Sequence, residues 1–140
     1  MRGESKSRAW VLDTSALIAL KENEPGAGVV EKILRREGRR GNVFVSFMSL
    51  MEFRYIVLRA EGPASADEAF ALLKQLPFRV LESDEALGRS AAAIKASTPL
   101  SVADAWVAAT AERLGAVLVH KDPEFEPLKN KIHLQALPYK

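Results

Sequence analysis

Short apolar runs alternate with long helical stretches along this chain, and that alternation constrains its fold more than any other property. The runs lie at Ala9 to Leu12, Val43 to Val45, Phe78 to Leu81 and Ala116 to Val119, with a shorter one at Ile132 to Leu134. Runs this brief, rich in Val and Leu, read as buried strands rather than helices. The segments between them are too long for hairpins, so the chain must cross over, and crossovers join parallel strands in a sheet covered on both faces. The expected fold class is α/β, three-layered, with helices on either side of a central parallel sheet. Ligands of such sheets bind outside the carboxyl ends of the strands, where the departing loops converge.

The helical stretches have readable limits. Ala16 to Leu20 follows the first run, and after a polar turn from Lys21 to Gly26, Val29, Val30, Ile33 and Leu34 recur at helical spacing before Arg35-Arg36-Glu37-Gly38. Basic residues and glycine are a C-terminal signal. A helix is expected from about Ser49 to Ala60, broken by Gly62-Pro63, and another from Ala64 or Ser65 to Gln75, ended by Pro77. Two more are expected over Asp84 to Ala96 and Ser101 to Leu114, and Asp122-Pro123 signals a turn. No internal repeat, low-complexity tract or linker interrupts the 140 residues, which read as a single domain.

Acids stand at the ends of the first and fourth runs. Asp13 closes one and Asp122 lies just past the other, so parallel topology puts both carboxylates at the same sheet edge. Each also fits a local role, Asp13 as a helix cap and Asp122 as a turn opener before proline. Ser49-Leu50-Met51-Glu52 and Ser101-Val102-Ala103-Asp104 both match the capping box, in which the acid reaches back to the cap's backbone N–H. The segment after Asp104 is apolar nearly all round, however, and a carboxylate buried there requires a strong partner.

Four converging acids would repel one another, and a divalent cation neutralises them. The chain has no cysteine and two histidines, His120 and His133, which excludes thiolate sites and makes the usual zinc sites unsuitable. Carboxylate and water oxygens suit Mg²⁺ or Mn²⁺ instead. Such an ion activates water and offsets charge at a phosphodiester, so phosphodiester hydrolysis is the reaction class these residues favour. Basic residues exceed acidic ones by two, 20 against 18, which permits a phosphate-bearing substrate without demonstrating one.

Four segments in order carry a resemblance. Val11-Leu12-Asp13-Thr14-Ser15-Ala16-Leu17, Ser49-Leu50-Met51-Glu52, Ser101-Val102-Ala103-Asp104-Ala105-Trp106-Val107-Ala108-Ala109-Thr110-Ala111 and Val117-Leu118-Val119-His120-Lys121-Asp122-Pro123-Glu124-Phe125 are similar to the successive signatures of the PIN-domain nucleases. The branch they most resemble is the VapC-type toxins of prokaryotic toxin–antitoxin pairs. The similarity runs from about Ala9 to Leu134, with the acids 39, 52 and 18 residues apart. It implies a three-layer α/β/α sandwich around a parallel sheet of about five strands, and an Mg²⁺- or Mn²⁺-dependent endoribonuclease. Asp13, Glu52, Asp104 and Asp122 match the family's acidic quartet, Asp13 and Asp104 as primary metal ligands, Glu52 and Asp122 through coordinated waters or at a second ion. Ser15 matches the hydroxyl beside the first acid, and Thr14 stands with it as pocket support. His120 occupies the place where many relatives carry Thr, and reads as a structural histidine at a strand end. The resemblance further implies an RNA substrate, a homodimer and a small cognate antitoxin.

Two other enzyme or binding classes fit the sequence less well. An aspartyl-phosphate phosphotransfer domain would need an acidic pair or Asp-x-Asp where this chain has Asp13-Thr14-Ser15. A non-catalytic PIN-like RNA-binding module would not need all four acids. Gly26-Ala27-Gly28 lacks the third glycine of a dinucleotide fingerprint and follows no strand, and Gly88-Arg89-Ser90 lacks the last glycine of a nucleophile elbow. Arg35, Arg36, Arg39 and Arg40 fit a helix C-terminus better than an RNA-backbone contact, and Trp106 fits the core. Arg2, Lys6 and Arg8 precede an apolar run in the manner of an export signal, but Asp13 interrupts it. No window is apolar enough to cross a membrane, so no membrane association and a cytoplasmic location are expected.

Overall fold

The computed structural model describes residues 8–139; Arg2 and Lys6, weighed above as part of an export signal, lie outside the described residues. Five strands and six α-helices alternate: β1 (Trp10–Leu12), α1 (Thr14–Glu22), α2 (Ala27–Glu37), β2 (Val43–Ser46), α3 (Phe47–Glu61), α4 (Pro63–Leu73), β3 (Arg79–Leu81), α5 (Glu85–Ser97), α6 (Val102–Leu114), β4 (Val117–His120) and β5 (His133–Ala136). A short 3-10 helix over Pro123–Leu128 separates the last two strands. Where a plain turn was expected, Asp122 caps that helix by accepting from the Glu124 N–H at 2.9 Å.

All pairings are parallel and the strand order is β3-β2-β1-β4-β5. Register pairs Val11 with Phe44 on one side and with Leu118 on the other. Alternation along β1 sends Val11 and Leu12 to opposite faces, and each joins a different core. Val11 and Leu118 pack with Leu87, Ile94, Val107 and Phe125 from the α5–α6 side. Leu12, Val43, Val45 and Val119 pack with Leu17, Val30, Phe53 and Val57 from the α1–α4 side. The result is the expected three-layer α/β/α sandwich.

Several boundaries differ from the sequence expectation for local reasons. The helix expected from Ser49 begins at Phe47, because Ser46 ends β2 and caps α3 by accepting from the Met48 N–H at 3.1 Å. Ser49 therefore sits inside the first turn, fully buried, and the Ser49–Glu52 capping box does not form. Pro63 opens α4 instead of only breaking the preceding helix, a position where its missing N–H carries no cost. The last strand is displaced to His133–Ala136. Gly26 holds φ +102°, and a Cβ there would meet the Leu137 Cβ at 2.9 Å. Glycine is needed at that point because the segment after β5 passes against the α1–α2 turn.

Candidate active site

The sheet's order reverses at β1. The chain leaves β1 toward β2 on one side, while β4 pairs on the other, so the carboxyl ends of β1 and β4 flank a crevice. Asp13 follows β1 directly and Asp122 lies two residues beyond β4. Glu52 enters from the second turn of α3 and Asp104 from the first turn of α6. All four line one cleft of about 510 Å³, together with Thr14, Ser15, Glu24, Lys121 and Tyr139.

Each acid is placed by a backbone requirement. Asp13 caps α1, accepting from the Ala16 N–H at 2.8 Å, so its capping and cleft-lining roles coincide. Ser15 Oγ lies 2.7 and 2.9 Å from the two Asp13 oxygens, donates its proton to that carboxylate and accepts from the Lys121 N–H at 2.9 Å. One hydroxyl thereby fixes the acid after β1 relative to the loop after β4. Thr14 Oγ1 donates a short hydrogen bond to Glu52, which ties α1 to α3. Ser101 caps α6 by accepting from the Asp104 N–H at 3.1 Å.

Burial pushes the Asp13 carboxyl up to about 7, against the pull of the Ser15 and Ala16 hydrogen bonds, with the Asp104 and Glu52 charges adding to the rise. Asp104 is raised to about 6, again chiefly by burial, then by the charges of Glu52 and Asp122. A cation placed among these carboxylates would favour their ionised form and oppose that rise. Lys121 is the one basic residue among the described residues lining the cleft, and its ammonium is engaged by the Glu24 carboxylate at 3.0 Å and the Pro25 carbonyl at 3.3 Å.

The donor set fits a hard divalent ion. Carboxylate oxygens of Asp104, Asp122 and Glu124 all lie within 4.8 Å of one another, and the donors lining the cleft are oxygens. Glu124, in the first turn of the 3-10 helix that Asp122 caps, joins the group without a periodic signal in the sequence. His120, by contrast, is fully buried. Its Nδ1 accepts from the Asp122 N–H at 3.1 Å and its ring packs on Phe125, centroids 5.1 Å apart. Burial lowers its pKa, consistent with a neutral ring that shapes the loop carrying Asp122. Trp106 is half-buried and meets Phe47 edge-on at 4.9 Å. A separate groove of about 390 Å³ between α1, α3 and α4 is mostly apolar and gathers no such set of acids.

The PIN domain profile matches residues 10–131, a span that includes every acid of the cleft. The chain belongs to the PIN domain family. Solved structures share this PIN fold at low identity. A chain of VapBC2 from Rickettsia felis, in a structure bound to a promoter DNA fragment, superposes with TM-score 0.73 at 13% identity, covering 93% of this chain and 99% of that one. VapC20 of Mycobacterium tuberculosis, described as a sarcin-ricin loop cleaving toxin, gives 0.69 at 20%, covering 85% and 94%. VapBC-1 from nontypeable Haemophilus influenzae gives 0.67 at 24%, covering 91% and 97%. No curated protein sequence matches the chain.

Proposed function

We propose that this chain is a single-domain, Mg²⁺- or Mn²⁺-dependent endoribonuclease, the toxin of a toxin–antitoxin pair. The observation that carries the reading is the convergence of Asp13, Glu52, Asp104 and Asp122, from four separate parts of the chain, on one cleft where two of them are held well above the ordinary carboxylate range. Membership of the PIN family supports the nuclease reading, and the likeness in fold to VapC20 and VapBC proteins supports an RNA substrate and a toxin–antitoxin setting.

Asp13 and Asp104 would hold the ion as its primary ligands, and Glu52 and Asp122 would act through coordinated waters or at a second ion, with Glu124 near Asp104 and Asp122. The chemistry such an ion supplies when bound is Lewis-acid: it neutralises charge building on the phosphodiester and makes water a better nucleophile. The protein's own contribution is positional. Ser15 orients the Asp13 carboxylate, Thr14 orients Glu52, and the caps on α1 and α6 fix the two primary acids before substrate arrives, which is where electrostatic preorganisation originates. Phosphotransfer through Asp13 is disfavoured, because its oxygens are engaged by Ser15 and Ala16 and the neighbouring Lys121 ammonium is engaged by Glu24.

A small antitoxin, an RNA substrate and a homodimeric state complete the proposal. Among the described residues no helix is long and apolar enough to cross a membrane, and a nuclease acting on RNA belongs in the cytoplasm. The test is RNA cleavage by purified protein with Mn²⁺, with EDTA, and as Asp104→Asn. Cleavage that requires Mn²⁺ and is lost in the folded variant supports the reading. Full activity in Asp104→Asn overturns the site, and Mn²⁺-dependent RNA binding without cleavage by the wild type replaces it with the non-catalytic binding module.

A further inference from the structure

We infer that Tyr139 is a base-stacking platform beside the acidic cluster, so that the segment after β5 supplies the nucleotide-binding wall of the cleft. The inference rests on the ribonuclease reading above and extends it to a residue outside the span that the PIN domain profile matches.

Tyr139 is the one aromatic side chain among the described residues lining the cleft, and it stands at 41% exposure. The segment also has a buried anchor of its own. Leu137 is that anchor, two residues earlier: it is 2% exposed, its N–H donates to the His120 carbonyl at 2.7 Å, and it packs where Gly26 leaves room. The phenol ring is nonetheless fixed. Its hydroxyl donates to Glu126 Oε2 at 2.9 Å, and the ring leans on buried His120 with centroids 6.1 Å apart and planes 38° apart. The two restraints come from the end of β4 and from the 3-10 helix, and the side chain so held lines the cleft while 41% exposed.

A large, exposed, immobilised ring is what a stacking platform requires, because little rotamer freedom remains to be lost on binding. The electrostatics divide the nucleotide in a matching way. Phosphate needs a cation and goes to the carboxylates, whereas a base is uncharged and can lie beside Asp122 and Glu126 without repulsion. Stacking on aromatic side chains is tolerant of base identity, so Tyr139 contributes affinity and orientation more than sequence choice.

The experiment measures steady-state cleavage of fluorescently labelled single-stranded RNA 12-mers of randomised sequence, with Mn²⁺, for wild type, Tyr139→Ala, Tyr139→Leu, Tyr139→Phe and Tyr139→Trp. Ala and Leu are expected to raise KM roughly tenfold with kcat changed by no more than about twofold, as for a contact equal in ground and transition states. Phe and Trp keep a π face and hold KM within about threefold of wild type, and the thermal midpoint and Mn²⁺ affinity of all variants stay at wild-type values. A wild-type KM for Leu overturns the inference, since filled volume alone then suffices. A KM for Phe as high as for Ala also overturns it, because the Glu126 contact would then be the requirement. Wild-type protein that cleaves no RNA defeats the parent reading, and the stacking role falls with it.

Discussion

Replacing Asp13 with Asn is expected to stabilise the metal-free protein at alkaline pH while abolishing its activity. Asn is as good a helix cap as Asp, so acceptance of the Ala16 N–H, 2.8 Å in the wild type, persists, and its side-chain oxygen still accepts from Ser15. What disappears is a buried charge. The Asp13 carboxyl is held at about 7 in the folded chain against 3.8 when unfolded. Between those values the folded protein keeps a proton that the unfolded chain has released, so stability falls as pH rises through the interval and is flat above it. At about 1.4 kcal/mol per pH unit, the interval corresponds to roughly 4 kcal/mol at pH 8. Water drawn into the opened cleft offsets part of that, leaving an expected gain of roughly 2 to 4 kcal/mol for Asp13→Asn at pH 8, shrinking to almost nothing by pH 4. Urea unfolding in EDTA at pH 8, 6 and 4.5 reads the difference directly. Mn²⁺ at a thousand times its dissociation constant should then offset that gain, adding about 4.1 kcal/mol to the wild type and little to the variant. Equal or lower stability of Asp13→Asn at pH 8, or a difference that ignores pH, refutes the reasoning.

Other substitutions probe the supports of the cleft. Ser15→Ala removes the hydrogen bond that lowers the Asp13 carboxyl and the link to the Lys121 N–H, so Mn²⁺ binding by calorimetry should begin at higher pH and unfolding should cost about 1 kcal/mol less. In Lys121→Met a side chain only 5% exposed loses its contacts with Glu24 and Pro25, and a stability loss of roughly 2 kcal/mol by urea denaturation is expected. Gly26→Ala forces a Cβ to 2.9 Å from Leu137 at a φ of +102°, and its thermal midpoint should fall by several degrees, the equivalent of roughly 1 to 2 kcal/mol.

The sequence made the α/β class legible because buried parallel strands leave continuous apolar runs, as at Val117–Val119, that do not resemble helix surfaces. Asp13 and Asp122 were readable from strand ends, since topology alone sends them to one edge. Asp104 stood out as an acid in an apolar helix. What stayed hidden depended on spatial packing. Ser49 imitated a cap in sequence, yet Ser46, one residue before the helix proper, won the role because β2 runs directly into α3. Glu124 carried no periodic signal, and the Lys121–Glu24 pair joins residues 97 apart that nothing local relates. Tyr139 reaches the cleft only because Gly26 and Leu137 interlock, a contact between distant segments that no motif encodes.

The strand order has a consequence for timing. β4 lies between β1 and β5, next to the first strand, although more than a hundred residues separate Val11 from its partner Leu118. During synthesis β1, β2 and β3 emerge first and can pair among themselves, but the wall that carries Asp122 and Lys121 does not exist until β4 has followed them. Closing the sheet and assembling the carboxylate cleft are therefore the same event. A growing chain still attached to the ribosome, surrounded by RNA, can bring Asp13 and Glu52 together through α1 and α3 but lacks Asp122 until β4 is in place.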